Sequence, residues 1–338
     1  MIVEMRKGAN ESEVDAVVHK AKSLALEVQI NRGTDKTVVA LLGSHTGQLS
    51  TDLFAVLPGV EKVTRIMKPY KLSSREVKQQ NTIVEVRDLA IGSKRIIVMA
   101  GPCAVESEKQ LLESARYVKA AGASILRGGA FKPRTSPFSF QGLEEAGLAL
   151  LERVREIVGI PVITEVVDPH EVDIVKKSAD ILQVGSRNMQ NFTLLTSIGK
   201  SQWPVVLKRG FSCTVTEWLT AADYLLAEGN VNVILCERGI RTFEDSTRFS
   251  LDISAIPVVK KVSHLPVIVD PSHAAGHRDL VPALAKAAIA AGADGLLIEV
   301  HPNPAEALVD GLQSLNPDEF AKLMNELRLV AKAVGREV

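Results

Sequence analysis

The sequence predicts an α/β protein in two parts: a small βαββαβ unit, then a closed (β/α)8 barrel. Three observations lead there. Residues 1–68 read as strand, helix, strand, strand, helix, strand. From residue 82 onward the pattern changes to a recurring unit in which a helix ends near Gly, a short apolar strand follows, and a polar residue closes it. Strands that are apolar throughout and separated by helix-length segments indicate a parallel sheet buried on both faces. Residues 82–338 also match the ~250 residues that an eight-fold barrel takes.

In the first part, MIVEM reads as a strand. NESEVDAVVHKAKSL carries an Asn cap and apolar residues at helical spacing: Val14, Val17, Val18 and Ala21. EVQIN and KTVVALLG are two strands joined by a turn at Gly33, GQLSTDLFAVL is a short helix, and VEKVTRIM is the last strand. This order is the ferredoxin-like split unit. Residues 69–81, polar and containing Pro69 and paired serines, read as a linker.

The barrel strands lie in RIIVMAGPC, AAGASILRG, VGIPVITEV, SADILQVGSR, WPVVLKRG, NVNVILCERG, HLPVIVDPSH and GADGLLIEVH. Their Gly residues suit helix C-caps. NTIVEVRDLAIG, before the first of them, reads as a hairpin closing the barrel floor. The rival architecture is an open doubly wound sheet. It would bind nucleotides through a Gly-rich turn of the G-x-G-x-x-G or G-x-x-x-x-G-K-[ST] kind, and neither is present.

Composition narrows the function. The 40 basic and 40 acidic residues cancel, so a broad nucleic-acid-binding face is not expected. Three cysteines, Cys103, Cys213 and Cys236, make no disulfide framework, which points to a reducing cytosol. The N-terminus turns polar too soon for a signal peptide, and no apolar run approaches the ~18 residues that would span a membrane.

In a barrel, chemistry sits where strands end. Those positions are Cys103, Arg127, Glu165, Gln183 with Arg187, Lys208, Arg238, Asp270 with His273, and Glu299. Cys103, His273 and Glu299 close strands one, seven and eight, which are neighbours once the barrel shuts, and Asp310 can reach the same point. A thiol, an imidazole and two carboxylates suit Mn²⁺, Fe²⁺ or Zn²⁺ rather than Mg²⁺, which avoids thiolate. Cys213 and Cys236 lack such company and read as structural. A second group is cationic: Arg127, Lys132, Arg134, Arg187, Lys208 and Arg238. The loop RGGAFKPRTSPFSFQG holds three of them with no acid between, and its Gly and Pro residues exclude a helix. Six cations at one mouth repel strongly unless the ligand supplies the balancing charge. Two phosphorylated substrates, one of them also a carboxylate, would do so.

The motifs GPCAVES, LRGGAFKPRTSPFSFQG, ITEVVD, QVGSRNMQN, LKRG, ILCERG, IVDPSHAAG and IEVHPNP resemble the 3-deoxy-D-arabino-heptulosonate 7-phosphate (DAHP) synthases. The likeness covers the whole barrel. It is nearest to the short microbial type with an N-terminal ferredoxin-like regulatory domain. The sister octulosonate-8-phosphate synthases share the barrel and much of the phosphate set, but typically carry an Asn-bearing sequence where this chain has Pro133-Arg134-Thr135. The stretch GFSCT, after Lys208 and Arg209, departs from the family pattern.

The resemblance implies condensation of phosphoenolpyruvate with erythrose 4-phosphate, the first step of the shikimate pathway to aromatic amino acids. It implies that Arg127 and Lys132 hold the phosphoenolpyruvate carboxylate. Arg187, Lys208 and Arg238, with the backbone near Ser186, would hold its phosphate. Arg134, Thr135 and Ser136 would take the phosphate of erythrose 4-phosphate. A divalent ion (Mn²⁺, Fe²⁺, Zn²⁺ or Co²⁺) on Cys103, His273, Glu299 and Asp310 would polarise the aldehyde. Lys132, Glu165, Cys103 and His273 are the catalytic candidates. Glu165 either steadies developing positive charge and orients water or holds Lys132 or Arg187 in place. Asp270 and His301 either position ligands or shape their loops. The resemblance further implies a homotetramer in which tyrosine or phenylalanine binds at residues 1–68, a domain that otherwise reads as an oligomerisation or stability module; the sparse cysteines make the expected location cytoplasmic. Two rivals remain: a Schiff-base aldolase using Lys208, and a sugar-phosphate sensor without turnover.

Overall fold

The computed structural model describes residues 1–33, 36–43, 46, 49–65, 69–133 and 136–338. It divides into two compact units, Met1–Asn81 with Val262–His264, and Thr82–Lys261 with Leu265–Val338.

In the first unit, β1 (Ile2–Met5), β2 (Glu27–Arg32), β3 (Thr37–Leu42) and β4 (Val60–Thr64) form an antiparallel sheet in the order β2-β3-β1-β4. Helices Glu11–Ser23 and Asp52–Ala55 complete the βαββαβ unit. The first helix starts on a capping box, with the Asn10 side chain accepting from the Glu13 amide and Glu13 accepting from the Asn10 amide. Its face of Val14, Val17 and Ala21 packs with Met1, Val3, Met5, Val39, Leu41 and Phe54. The tip of the turn after Gly33, the start of the GQLSTDLFAVL segment and the end of VEKVTRIM fall outside the described residues. Residues 69–81, polar in sequence, nonetheless bury Tyr70, Leu72, Ser73, Ser74 and Val77. Ser74 pairs with Ser263, and the His264 ring nitrogen Nε2 donates to the Leu72 carbonyl at 2.8 Å.

The second unit opens with an antiparallel hairpin, β5 (Val84–Val86) and β6 (Leu89–Ile91). Eight parallel strands follow: β7 (Ile97–Gly101), β8 (Ile125–Arg127), β9 (Val162–Glu165), β10 (Ile181–Val184), β11 (Val205–Lys208), β12 (Val233–Glu237), β13 (Val267–Val269) and β14 (Gly295–Glu299). Each pairs with the next, and β14 returns to β7, so the barrel is closed. The hairpin residues Val84, Val86, Leu89 and Ile91 share one core with Ile97, Ile125, Ile181 and Ile268. These are early strand positions, so the hairpin seals the floor and leaves the strand ends for the opposite mouth. Between strands, Ser107, Thr214 and Asn316 cap helix starts, while Gly122 and Gly159 end helices in the left-handed region. No helix among the described residues is long and apolar enough to cross a membrane.

A buried ion triad ties two strand ends together. Arg209, just after β11, donates through Nη1 to Glu237 Oε2 at 2.8 Å and Asp252 Oδ2 at 2.9 Å. Its Nε donates to the Cys213 carbonyl at 2.8 Å, and the second Glu237 oxygen accepts from the Gly239 amide at 2.7 Å. Removing one member of such a set leaves an uncompensated buried charge. Arg209→Met is therefore expected to cost about 3–5 kcal/mol of stability, with partial recovery when Glu237→Gln is added. Denaturant unfolding of the two variants checks this, and a single variant as stable as the parent would contradict it.

His264 makes stability pH-dependent. Burial pushes its imidazole down to about 4, so it stays neutral while donating to Leu72. The unfolded chain binds this proton near pH 6.5 and the folded chain does not, so stability is complete above that value and falls as pH drops toward 4. The loss attributable to His264 is about 3 kcal/mol across that window. Unfolding midpoints at both ends of the window should show the slope in the parent protein and a shallower one in His264→Gln.

Candidate active site

Barrel closure converges four donors. Cys103 follows β7, and Glu299 ends β14 directly beside it. His273 lies on the short helix Pro271–Ala275 after β13, capped by Asp270, whose Oδ1 accepts from the His273 amide at 2.9 Å. Asp310 adopts φ 55°, a left-handed conformation that Asp tolerates better than most residues. The ligand atoms of Cys103, His273, Glu299 and Asp310 all lie within 4.8 Å of one another. Cys103 Sγ is 3.4 Å from Asp310 Oδ2, and His273 Nε2 is 3.3 Å from Glu299 Oε1 and 3.7 Å from Asp310 Oδ2. An ion bound at roughly 2.0–2.3 Å from each donor requires donor separations of this size.

The electrostatics also suit a cation. Burial, then the neighbouring Glu299, pushes the Cys103 thiol up to about 12, and burial pushes the His273 imidazole down. Burial raises Glu299 and Asp310, but His273 with Arg127 or Arg248 more than offsets it, so both carboxyls fall below their ordinary range. Asp270 is held well below the usual carboxylate range, burial being outweighed by His273 and Lys208. Its Oδ2 lies 2.7 Å from His273 Nδ1, which leaves Nε2 to face the other three donors.

The cationic residues line a cavity of ≈ 280 Å³ that His273 and Asp310 also border. Arg127, Lys132, Arg187, Lys208 and Arg238 all reach it, together with Ser136, Ser186 and Glu165. Arg134 and Thr135 lie outside the described residues. The expectation that only a ligand balances these cations needs correction. Arg127 Nη1 donates to Glu299 Oε1 at 2.8 Å, and Lys208 Nζ to Asp270 Oδ2 at 2.6 Å, so strand-end carboxylates already meet two of the cations. Lys132 Nζ stands between the two groups, 3.1 Å from Cys103 Sγ and 3.0 Å from the Cys103 carbonyl oxygen. Ser186 Oγ is buried without a hydrogen-bond partner among the described residues.

Glu165 accepts from Gln183 Nε2 at 3.2 Å, and its carboxylate lies over Gly185, where a Cβ would sit 2.0 Å from Oε1. Gly101 has a similar duty at φ 151°, since a Cβ there would meet the Arg127 carbonyl oxygen at 2.2 Å. His301 serves its loop, lying 3.4 Å from Glu106 Oε2 and accepting from the Asn303 amide. Cys236 is part of the barrel interior, and Cys213 is half-buried beside Gly210. Five contributors escaped the sequence reading: Phe211, Arg241, Arg248, Phe249 and Gln313. Gln313 Nε2 donates to Glu299 Oε2 at 2.6 Å, and Arg248 Nη1 reaches Gln313 Oε1 at 2.9 Å and Asp310 Oδ1 at 3.2 Å. Only the two arginines, in the long segment after β12, offered a signal, as cations following a barrel strand.

Comparison with known proteins agrees with this architecture. Residues 1–68 match the DAHP synthase ferredoxin-like domain, and residues 76–333 match the DAHP synthetase I family. The chain is 46% identical over 338 residues, all of both chains, to the phospho-2-dehydro-3-deoxyheptonate aldolase of Thermotoga maritima. A crystal structure of that protein superposes with a TM-score of 0.80, covering 100% of this chain and 98% of the other. The 2-dehydro-3-deoxyphosphooctonate aldolase of Syntrophotalea carbinolica is 30% identical over 266 residues, 73% of this chain and 95% of that one. With three quarters of its length and its whole barrel matched, the chain belongs to the DAHP synthetase I family.

Proposed function

We propose that this protein condenses phosphoenolpyruvate with erythrose 4-phosphate and water, giving 3-deoxy-D-arabino-heptulosonate 7-phosphate and inorganic phosphate at the start of the shikimate pathway. One observation carries the reading: a thiol–imidazole–dicarboxylate cluster opens into the same cavity as Arg127, Lys132, Arg187, Lys208 and Arg238. Residues 82–338 then form the catalytic barrel and residues 69–81 the connection from the N-terminal domain.

Arg127 and Lys132 hold the phosphoenolpyruvate carboxylate. Arg187, Lys208 and Arg238 bind its phosphate, with the Ser186 hydroxyl, which has no hydrogen-bond partner among the described residues, beside them. Arg134, Thr135 and Ser136 take the second phosphate, which sets the aldehyde over the enol. Cys103, His273, Glu299 and Asp310 would hold a divalent Mn²⁺, Fe²⁺, Zn²⁺ or Co²⁺ ion, which supplies Lewis-acid activation of the aldehyde oxygen. The enol carbon attacks the aldehyde carbon, and Lys132, next to Cys103, donates a proton toward the oxygen that gains charge. Positive charge then develops at the enol-ether carbon, where Glu165 steadies it, orients the water that captures it and takes the proton that water gives up. The resulting hemiketal collapses to the ketone as its C–O bond to phosphate breaks, and its hydroxyl proton leaves with the phosphate held by the arginines. A Schiff-base route is disfavoured because it has no use for the thiol–imidazole–dicarboxylate cluster that opens into the cavity.

Residues 1–68 are proposed to bind an aromatic amino acid, tyrosine or phenylalanine, within a homotetramer, and to lower turnover when occupied. The family match of this segment supports a regulatory role.

Phosphate release is expected with phosphoenolpyruvate plus erythrose 4-phosphate, with far slower release when arabinose 5-phosphate replaces the shorter sugar. EDTA should abolish it. Equal rates with both aldehydes would move the protein to the octulosonate branch of the family. Cys103→Ser should remain folded yet lose at least about 10²-fold in turnover, by analogy with the loss of one electrostatic group from an active site. In the Co²⁺-loaded protein this variant should also lose the thiolate–cobalt absorption band. Full activity with an unchanged spectrum would remove Cys103 from the metal set.

A further inference from the structure

Among the buried cations of the mouth, Arg238 has its charge met in a different way. It is only 3% exposed, and its Nη1 is buried with no hydrogen-bond partner among the described residues. Arg127, Lys208 and Arg209 each hold a carboxylate, whereas Arg238 packs against phenyl rings. Its guanidinium carbon lies 4.0 Å from the centroid of Phe249 and 4.9 Å from that of Phe211. The two rings are stacked, 5.0 Å between centroids and 8° between planes.

The rings arrive from different loops. Phe211 follows β11, and Phe249 lies in the segment after β12. Main-chain bonds fix both: the Arg241 amide donates to the Phe211 carbonyl at 2.6 Å, and the Phe249 amide to the Ala274 carbonyl at 2.9 Å. The faces of the rings attract a guanidinium without consuming its N–H donors or cancelling its charge. A carboxylate would do both and would compete with an incoming anion. Burial pushes Arg238 down to about 10, which still leaves it charged at neutral pH.

We propose that Phe211 and Phe249 are positioning residues that form an aromatic shelf for Arg238, holding its guanidinium in place while keeping its donors for a phosphate group. The proposal rests on the reading of Arg238 as a ligand of the phosphoenolpyruvate phosphate.

Phe211→Leu and Phe249→Leu test it one ring at a time, since both side chains are only half-buried. The intact protein is titrated calorimetrically with inorganic phosphate, and KM is measured for each substrate. Each variant is expected to bind phosphate about 3- to 30-fold more weakly, the range of a partly desolvated cation–π contact. KM for phosphoenolpyruvate should rise by the same factor, while kcat and KM for erythrose 4-phosphate stay unchanged, and Phe211→Tyr should restore parental behaviour. Unchanged phosphate affinity in both leucine variants overturns the shelf. So does a parallel rise in both KM values, failure of the tyrosine rescue, or unfolding of both leucine variants, each of which would mark the rings as packing elements only. Weakened phosphate binding in a protein that does not condense these two substrates would instead uphold the shelf and reject the proposed reaction.

Discussion

The parallel pairing of β14 with β7 is the contact on which the site depends. It sets Glu299 opposite Gly101, two residues before Cys103, and so joins the two ends of the barrel sequence. β13 lies next to β14, which carries Asp270 and His273 to the same side. Gly101 makes the approach feasible at the other flank, because any Cβ there would strike the Arg127 carbonyl. The closing pair is far apart in sequence, so its loop-closure cost is met only when the neighbouring strand pairs are also formed. The donor cluster is thus a property of the complete barrel and cannot exist in a fragment of it.

Around that closure, two strand-end carboxylates are paired with two of the cations at the mouth. Glu299 belongs to the donor cluster and to the Arg127 ion pair, while Asp270 orients His273 and holds Lys208. The four-donor cluster and the cationic side of the cavity therefore share two carboxylates and form a single network, in which a change at one side is felt at the other. Arg209, although it adjoins Lys208 in the chain, belongs to a different arrangement. Its triad with Glu237 and Asp252 is turned away from the cavity lining and braces the loops that carry Phe211 and Phe249. Three neighbouring cations, Lys208, Arg209 and Arg238, are thus stabilised by one carboxylate, by two, and by aromatic faces respectively. Those differences decide how much of each charge remains for a ligand.

The architecture was legible in the order of apolar runs. Eight short apolar stretches of regular spacing could bury both faces only in a parallel sheet, and their polar terminators pointed to the mouth. The hairpin at Val84–Ile91 was readable from alternation and a polar turn, and the structure makes it the floor of the barrel. Cys103, His273, Glu299 and Asp310 were nameable because strands one, seven and eight must meet in any closed eight-strand barrel. The ion pairs Arg127–Glu299 and Lys208–Asp270 were not readable, since strand-end identity carries no information about which neighbour a side chain turns toward. Gln313, Arg248 and the phenyl pair lie in irregular loops, where no periodicity reports on direction.

The sequence alone thus determined the secondary-structure order, the barrel and the chemical inventory at its mouth, because periodicity and residue type are local properties of the chain. The tertiary structure decided how that inventory is partitioned. It determined which cations are already paired, which carboxylates are shared, and that Arg238 rests on aromatic rings with one donor unpartnered among the described residues. Those outcomes depend on side-chain directions across non-adjacent loops, and distance in space is not encoded in the spacing along any one of them.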